Sequence, residues 1–383
     1  MTLDELRLRV QDHTARHAPV WDTHWARRSI GRIAVGILPT PETVKRAERA
    51  LAAVSWPEPA EKPAGWTLEW RSSVEKDVAG LVAALAMPGD RCLALSPPRF
   101  VHHQSQGICD LFGARVEAQA DGNFYVHPLP PDPAFIDAVM PKSIEQSAYW
   151  GAVEWIRYAR TMTGGLFEFS NPVMTGPFDT ANYLLGTTTL MEWVYSEPET
   201  LHRLLDKITD VLIAMIGALR TATGGRIYRP RHAVCVRGGY DFGSECRALV
   251  SRNIYETFEA PRLRRIGATA GPYGIHSCGS WERTVPSALS DPNLRIMNGQ
   301  IRENDLAQLC ALANGGITLS IGPSANLDER YTWSRKEDFY AHVLRTVPRT
   351  QPFEIGVSED ELALWNRLCV ELNVTYNQVP MCV

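Results

Sequence analysis

The sequence predicts an α/β protein built as a (β/α)8 barrel of the TIM type with an N-terminal helical extension. After residue 60, short apolar runs alternate with segments of helical period, which is the pattern of βα units around a parallel sheet. About eight such runs follow, the number that closes this barrel. The chain has 383 residues, enough for one barrel and an extension. We therefore assign residues 1–62 to the extension and 63–383 to the barrel.

The predicted extension contains helices over 3–17 and 41–54, with Pro41 suited to a first helical turn. Between them, the aromatic-rich stretch 18–25 is predicted to be a packed loop, and its aromatic rings also suit the mouth of a pocket. A proline-rich linker at 57–63 then leads into the barrel.

The barrel elements are predicted from apolar runs and helical periodicity. Candidate strands are 91–96, 115–118, 124–126, 166–169, 227–228 or 233–236, 274–276, 295–297, 317–320 and 352–355. Candidate helices are 143–161, 190–220, 252–270, 303–314, 335–347 and 359–372. Because barrel enzymes place their active sites at the C-terminal strand ends, polar residues just after these strands are the candidate site.

Composition excludes several classes of protein. A net charge of −4 gives no basic surplus for binding nucleic acid. No run of about 18 uncharged apolar residues occurs, so we expect no transmembrane helix. The first residues lack the apolar core of a signal peptide, and we expect a cytoplasmic protein. Eight scattered cysteines indicate reduced thiols rather than a disulfide framework.

The strongest chemical signal is the pair His276 and Cys278 at the end of a candidate strand. Residues i and i+2 of a strand point to the same face, so the imidazole and the thiol project together. Nitrogen and sulfur donors suit zinc. The alternative is a backbone-bonded histidine beside a packed thiol, since two ligands do not complete a zinc site.

Asp241 is the candidate catalytic residue. As an acid in a predicted loop at the barrel mouth, it suits a general acid or base, or a carboxylate that orients a ligating histidine. The alternative is an ordinary turn carboxylate. The candidate substrate-binding residues are His103, Asn171, Tyr240 and Asn298.

Four segments together resemble the uroporphyrinogen decarboxylase superfamily. Residues 175–186 with 197–209 look like its "GPFTLA…L.G…DPE..H.LL.K.T" stretch, and 240–243 with 249–251 and 258–263 are similar to "DD.G…LISP..F.EF..PYLK". The third segment is His276-Ser277-Cys278-Gly279, and the fourth is 297–300 with 315–319. They occur in the family's order between about residues 90 and 360. The resemblance implies a TIM-type barrel with its site at the C-terminal mouth.

Within this superfamily the chain resembles the methyltransferase branch at His276-x-Cys278, the first two zinc ligands of that branch. The resemblance implies a zinc ion that activates a thiol such as coenzyme M, and a partner protein that carries a corrinoid (cobalamin) and supplies the methyl group. The haem-pathway decarboxylase instead has an arginine-rich "RPP.W.MRQAGRY" element. Here residues 18–28 keep only a tryptophan and the pair Arg27-Arg28.

The third ligand of that branch is a cysteine in a "PGCG"-like loop after the last strand, whereas residues 353–360 contain no cysteine here. Our first candidate replacement is Cys382 in the C-terminal tail. The alternatives are Cys246, Glu245, Asp241 and Glu354.

Three functions are therefore carried forward. The first is a zinc-dependent methyltransferase that moves a methyl group between a corrinoid protein and a thiol or similar acceptor. The second is a metal-independent decarboxylase or lyase for a carboxylated, tetrapyrrole-like substrate, with Arg27 and Arg28 holding carboxylates. The third is a non-catalytic corrinoid- or tetrapyrrole-binding protein, because a fold does not fix a function. The helical extension also offers a surface for a homodimer.

Overall fold

A computed structural model describes residues 1–57, 59, 62–63, 66–120, 123–225, 240–300, 303–322 and 335–380. Its strands are β1 (Ala34–Leu38), β2 (Ala94–Leu95), β3 (Arg115–Ala118), β4 (Phe124–His127), β5 (Glu168–Phe169), β6 (Met174–Thr175), β7 (Tyr240–Gly243), β8 (Tyr273–Ser277), β9 (Leu294–Gln300), β10 (Thr318–Gly322) and β11 (Phe353–Ser358). Its α-helices are α1 (Leu3–Trp25), α2 (Pro41–Leu51), α3 (Leu68–Leu85), α4 (Pro133–Ala138), α5 (Trp150–Met162), α6 (Pro177–Leu185), α7 (Thr187–Ser196), α8 (Pro198–Ala222), α9 (Arg252–Ile254), α10 (Ala260–Ala270), α11 (Val285–Leu289), α12 (Leu306–Ala313), α13 (Lys336–Thr346) and α14 (Leu362–Glu371).

The parallel strands form the predicted barrel. Seven of them pair in the order β1-β11-β10-β9-β8-β7-β6, and β2 pairs with β5. Asn171, between the short strands β5 and β6, hydrogen-bonds to the backbone of Asp241 in β7 and so links these two groups of strands. On the other side, the N–H of Asp90, just before β2, donates to the carbonyl of Val35 in β1 at 2.7 Å. The predicted (β/α)8 architecture is confirmed, and the antiparallel hairpin β3–β4 is an addition to it.

The barrel begins inside the region that the sequence assigned to the extension. Strand β1 pairs in parallel with β11 in a register that runs from Ala34 opposite Glu354 to Leu38 opposite Ser358. The predicted boundary at residue 62 therefore does not mark the start of the barrel. A five-residue strand with a central glycine gives little periodicity, and its partner lies at the other end of the chain.

Helix α1 continues to Trp25, so the loop predicted over 18–25 is wrong. Pro19 lies inside the helix, and Trp21 is buried with its Nε1 donating to the carbonyl of Asp90 at 2.6 Å. Thr318, the first residue of β10, donates through Oγ1 to the carbonyl of His24 at 2.7 Å. The end of α1 therefore packs against the N-terminal end of the barrel, opposite the mouth.

Arg27 lies at the same N-terminal end. Its guanidinium donates to the carbonyls of Asp291 and Leu294, the residues around the start of β9. The role of carboxylate clamp that the decarboxylase hypothesis gave to Arg27 does not fit this position, because substrate carboxylates at the mouth are at the other end of the strands.

Strand β7 occupies residues that the sequence analysis treated as a loop. The predicted strand at 227–228 or 233–236 lies outside the described residues. Tyr240 and Phe242 point outward, where their rings pack with Tyr273 of β8. The alternation of a strand then directs Asp241 and Gly243 into the barrel. Throughout the described chain, each helix is too short or too polar to span a lipid bilayer.

Candidate metal centre

Glu245, His276 and Cys278 converge at the C-terminal mouth of the barrel. One carboxylate oxygen, one imidazole nitrogen and the thiol sulfur lie within 4.8 Å of one another. Nε2 of His276 is 3.2 Å from Sγ of Cys278 and 3.5 Å from Oε1 of Glu245. These three side chains form the candidate metal centre.

The pairing of β7 with β8 brings these residues together. Tyr273 and Ile275 of β8 point outward, so Gly274 and His276 point inward, and Cys278 follows at the strand end. Gly243, the last residue of β7, is the register partner of His276. Glu245 follows Gly243 by two residues, just as Cys278 follows His276, so Glu245 and Cys278 leave adjacent strands together.

The surroundings of His276 fix its tautomer. Asn298 donates through Nδ2 to the carbonyl of Ser320 at 2.6 Å, which turns its amide oxygen toward Nδ1 of the imidazole. An amide oxygen can only accept, so Nδ1 carries the hydrogen and Nε2 keeps a free lone pair. The nitrogen that faces Glu245 and Cys278 is therefore the one able to bind a metal.

The two carboxylate oxygens of Glu245 have different neighbours. Oε2 accepts the backbone N–H of Cys278 at 2.6 Å, whereas Oε1 faces the imidazole. The side chain of Glu245 is 42% exposed, and Cys278 is exposed as well. The site is thus open on the solvent side, and one oxygen of Glu245 is available to bind a metal.

A buried acidic pair supports the segment that carries Glu245. Asp179, in the first turn of α6, accepts the N–H groups of Glu245 at 2.5 Å and Cys246 at 2.8 Å. Ser244 donates to Oε1 of Glu259 at 2.9 Å. Burial raises the pKa of both Asp179 and Glu259, and the proximity of Asp179 raises that of Glu259 further.

The donor set fits zinc. Tetrahedral zinc, with bonds of about 2.0–2.3 Å, separates its ligand atoms by about 3.3–3.8 Å. The distances of 3.2 and 3.5 Å from Nε2 of His276 are close to this range. Three protein ligands with one position left for another molecule are typical of catalytic rather than structural zinc.

Of the other proposed third ligands, Asp241, Cys246 and Glu354 are described, and none belongs to this group of three. Cys246 is buried, and burial raises the pKa of its thiol, which opposes the thiolate form that binds metals. Glu354 is buried on the inner face of β11. Cys382 lies outside the described residues.

Asp241 lies near the candidate metal centre, on the side of it that is closer to the N-terminal end of the barrel. It precedes Gly243 by two residues on the inner face of β7, about 6.6 Å closer to the N-terminal end than the level of His276. The side chain of Asn171 holds the backbone of Asp241. Oδ1 of Asn171 accepts the N–H of Asp241 at 3.1 Å, and Nδ2 of Asn171 donates to the carbonyl of Asp241 at 3.2 Å. The amide of Asn171 thus connects neighbouring strands rather than extending freely into the mouth.

The remaining predicted substrate residues separate into two groups. Asn298 contacts His276 directly, and His103 lies on the loop after β2, where its ring stacks on Phe124 at a centroid distance of 5.0 Å. Tyr240 points away from the mouth, and its hydroxyl donates to the carbonyl of Gly271 at 2.6 Å. This position does not support substrate binding by Tyr240.

The family model "Uroporphyrinogen decarboxylase (URO-D)" matches residues 108–298, a segment that contains all three candidate ligands. The match covers just under half of the chain. The family resemblance predicted from the sequence is thereby confirmed.

Two proteins of Methanosarcina mazei that are described as methyltransferases are similar to this chain. A methylated-thiol–coenzyme M methyltransferase is 28% identical over 116 residues, which cover 30% of this chain and 29% of the relative. A solved structure described as a methyltransferase matches with a TM-score of 0.60 at 14% identity, over 92% of this chain and 97% of the other. The structural match supports the fold alone, and the sequence match spans less than a third of the curated relative.

Proposed function

We propose that this chain is a zinc-dependent methyltransferase that transfers a methyl group between a corrinoid protein and a thiol acceptor. The observation that carries the proposal is the group formed by Glu245, His276 and Cys278 at the barrel mouth. The sequence match to a methylated-thiol–coenzyme M methyltransferase favours the methyltransferase branch over the decarboxylase branch. The thiol acceptor and the corrinoid protein are taken from the sequence resemblance.

In this proposal Glu245 takes the place of the cysteine that the branch uses as its third ligand. A carboxylate, a neutral imidazole and a thiolate together carry a charge of −2, which balances the charge of Zn²⁺. When bound, zinc would lower the pKa of a thiol and so supply a thiolate nucleophile at neutral pH. Asn298 keeps Nε2 of His276 available, and the exposure of Cys278 gives an acceptor access to the site.

We assign the exchange of protons to Asp241, whose carboxylate faces the barrel interior below His276. The backbone bonds from Asn171 keep Asp241 at a fixed height on β7. His103 is the candidate for binding the acceptor, whereas both polar groups of Asn298 are engaged by His276 and Ser320.

The first test is metal content. The protein would be purified without chelators or an affinity tag, as wild type and as Glu245→Gln, His276→Ala and Cys278→Ala. Cys310→Ala, on α12 outside the group, is the matched control. We expect about one zinc per chain in the wild type and the control, and a clearly lower zinc content in the three variants, whose binding is weakened.

The second test is methyl transfer from methylcobalamin to coenzyme M, followed by the visible spectrum of the corrinoid. The proposal is supported if the zinc-loaded wild type is active and if activity falls with zinc content from one variant to the next. A wild-type protein that takes up no zinc even after anaerobic reconstitution would rule it out and favour the metal-independent lyase.

A further inference from the structure

Asp179 has no role in the proposed chemistry, yet it is among the least exposed acids of the chain, with 3% of its surface accessible. Its two oxygens accept two consecutive backbone N–H groups, those of Glu245 at 2.5 Å and Cys246 at 2.8 Å. A buried carboxylate held by two N–H donors is a strong, directional anchor for the backbone that supplies them. Here that backbone belongs to the candidate metal centre.

The same segment is held from two further directions. The N–H of Ser244 donates to the carbonyl of His276 at 2.7 Å, and its hydroxyl donates to Glu259 at 2.9 Å. By contrast, the Glu245 side chain is 42% exposed, and the N–H of Cys278 holds its Oε2 at 2.6 Å while Oε1 faces the imidazole. The orientation of its carboxylate depends on where the backbone of residues 244–246 is held.

We propose that Asp179 is a positioning residue that presents Glu245 to the metal ion. The inference rests on the proposed function, because it takes Glu245 to be a ligand. Asp179 reaches the metal centre only through the backbone of Glu245 and Cys246. Without it, the segment that carries Glu245 must be ordered when the metal binds, which lowers metal affinity. Loss of a residue that orients a ligand typically weakens metal binding about 10- to 100-fold.

The test compares Asp179→Asn, Glu245→Gln and the double variant by competitive Zn²⁺ titration against a chromophoric chelator. Asparagine has the same size, but it places an NH2 group against one of the two N–H donors. We expect Asp179→Asn to weaken zinc binding about 10- to 100-fold. Because Asp179 acts only through Glu245, the double variant should bind zinc no more weakly than Glu245→Gln alone.

A purely structural role for Asp179 predicts a different result. Asp291 is an equally buried acid at the N-terminal end of the barrel, where it accepts the hydroxyl of Tyr273 at 2.7 Å. Asp291→Asn should lower the melting temperature without changing zinc affinity. The Co²⁺ absorption spectrum adds a readout that stability alone does not move, since Asp179→Asn should shift it toward the spectrum of Glu245→Gln.

A measurement on the wild type covers the case in which Asp179→Asn does not fold. In the metal-free protein, the amide hydrogens of Glu245 and Cys246 should exchange slowly, because each is bonded to a buried carboxylate, and zinc should change their rates little. Exchange at the rate of an open loop would overturn the inference.

The outcomes separate the inference from the function on which it rests. If the wild type binds no zinc, the proposed function fails. If the wild type binds zinc and Asp179→Asn binds it equally well, the inference alone fails. If the losses of the two single variants multiply in the double variant, Asp179 acts independently of Glu245 and the inference also fails.

Discussion

Asn298 accepts a hydrogen bond from Nδ1 of His276 through an amide whose orientation is set by the carbonyl of Ser320. The three residues lie on β8, β9 and β10 and are neighbours in the register of the sheet. The barrel itself, and not a loop, therefore determines which imidazole nitrogen faces the candidate metal centre.

Substitution of Asn298 by alanine should weaken zinc binding about 10- to 100-fold, because Nδ1 of His276 loses its acceptor and the imidazole is free to change tautomer and rotate. Zinc titration measures the effect. Asn298→Asp keeps an acceptor at this position and should retain more affinity than the alanine variant. Equal affinities for wild type and Asn298→Ala would show that the tautomer is set in another way.

Gly279, next to Cys278, is in close contact with the loop after β7. A Cβ atom at Gly279 would lie 2.3 Å from Cβ of Ala248, well inside contact distance. Gly279→Ala should therefore displace the Cys278 loop and reduce both zinc affinity and melting temperature. Adding Ala248→Gly removes the clashing methyl group and should restore both. If the double variant has the same zinc affinity and melting temperature as Gly279→Ala, the losses come from the backbone of residue 279 and not from this contact.

The ion pair between Arg32 and Asp90 should stabilise the N-terminal end of the barrel. Asp90 is buried and accepts two hydrogen bonds from Arg32 at 2.6 and 2.8 Å. Arg32 and other donors lower the pKa of Asp90 to about 2 despite its burial. Asp90→Asn should cost about 3 kcal/mol of unfolding free energy, measured by urea denaturation.

The exposed pair of Arg203 and Asp137 is the matched control for that measurement. It has the same two-bond geometry, at 2.8 and 2.7 Å, but lies on the surface. Asp137→Asn should leave the urea midpoint nearly unchanged, since solvent screens such pairs. Similar losses in both variants would contradict the role we give to burial.

Acid should destabilise the protein through two buried histidines of α1. Burial lowers the pKa of His13 and His24 to about 4, so both are neutral in the folded state. In the unfolded chain they take up protons below about pH 6.5. Their contribution is therefore complete above pH 6.5 and is lost as the pH falls toward 4, by up to about 3 kcal/mol for each imidazole.

The measurement is the urea midpoint from pH 8 to pH 4 for wild type and His24→Phe. Glu259 has a raised pKa, and its uptake of a proton in the folded state opposes the trend, so the difference between the two proteins is the informative quantity. That difference should shrink or reverse in favour of the variant as the pH falls.

The sequence predicted the barrel because alternating strands and helices are a local pattern that many residues repeat. It predicted His276 and Cys278 because two donors on one strand face can be recognised without knowing the fold. Glu245 was only one alternative among several, since its place in the site depends on the pairing of β7 with β8. No local pattern marked Asp179 or β1, because their partners are distant in sequence.

The predicted roles of Tyr240 and residues 18–25 show the same limit. The sequence analysis predicts Tyr240 as a substrate-binding residue, but adjacent residues in a strand face opposite sides, so only one of Tyr240 and Asp241 faces inward. The aromatic stretch is helical and lies at the other end of the barrel, where Trp21 donates to the carbonyl of Asp90. Composition identified that stretch as buried but did not indicate which end of the barrel it covers.

Because β1 pairs in parallel with β11, the first barrel strand cannot complete its pairing until the last strand has been synthesised. During synthesis β1 leaves the ribosome long before Glu354 and its neighbours, so one edge of β1 stays open while most of the chain is made. Such an open edge is a surface on which nascent chains associate wrongly. Chaperone binding to β1 on stalled nascent chains should therefore persist until β11 has emerged, and release should coincide with closure of the barrel.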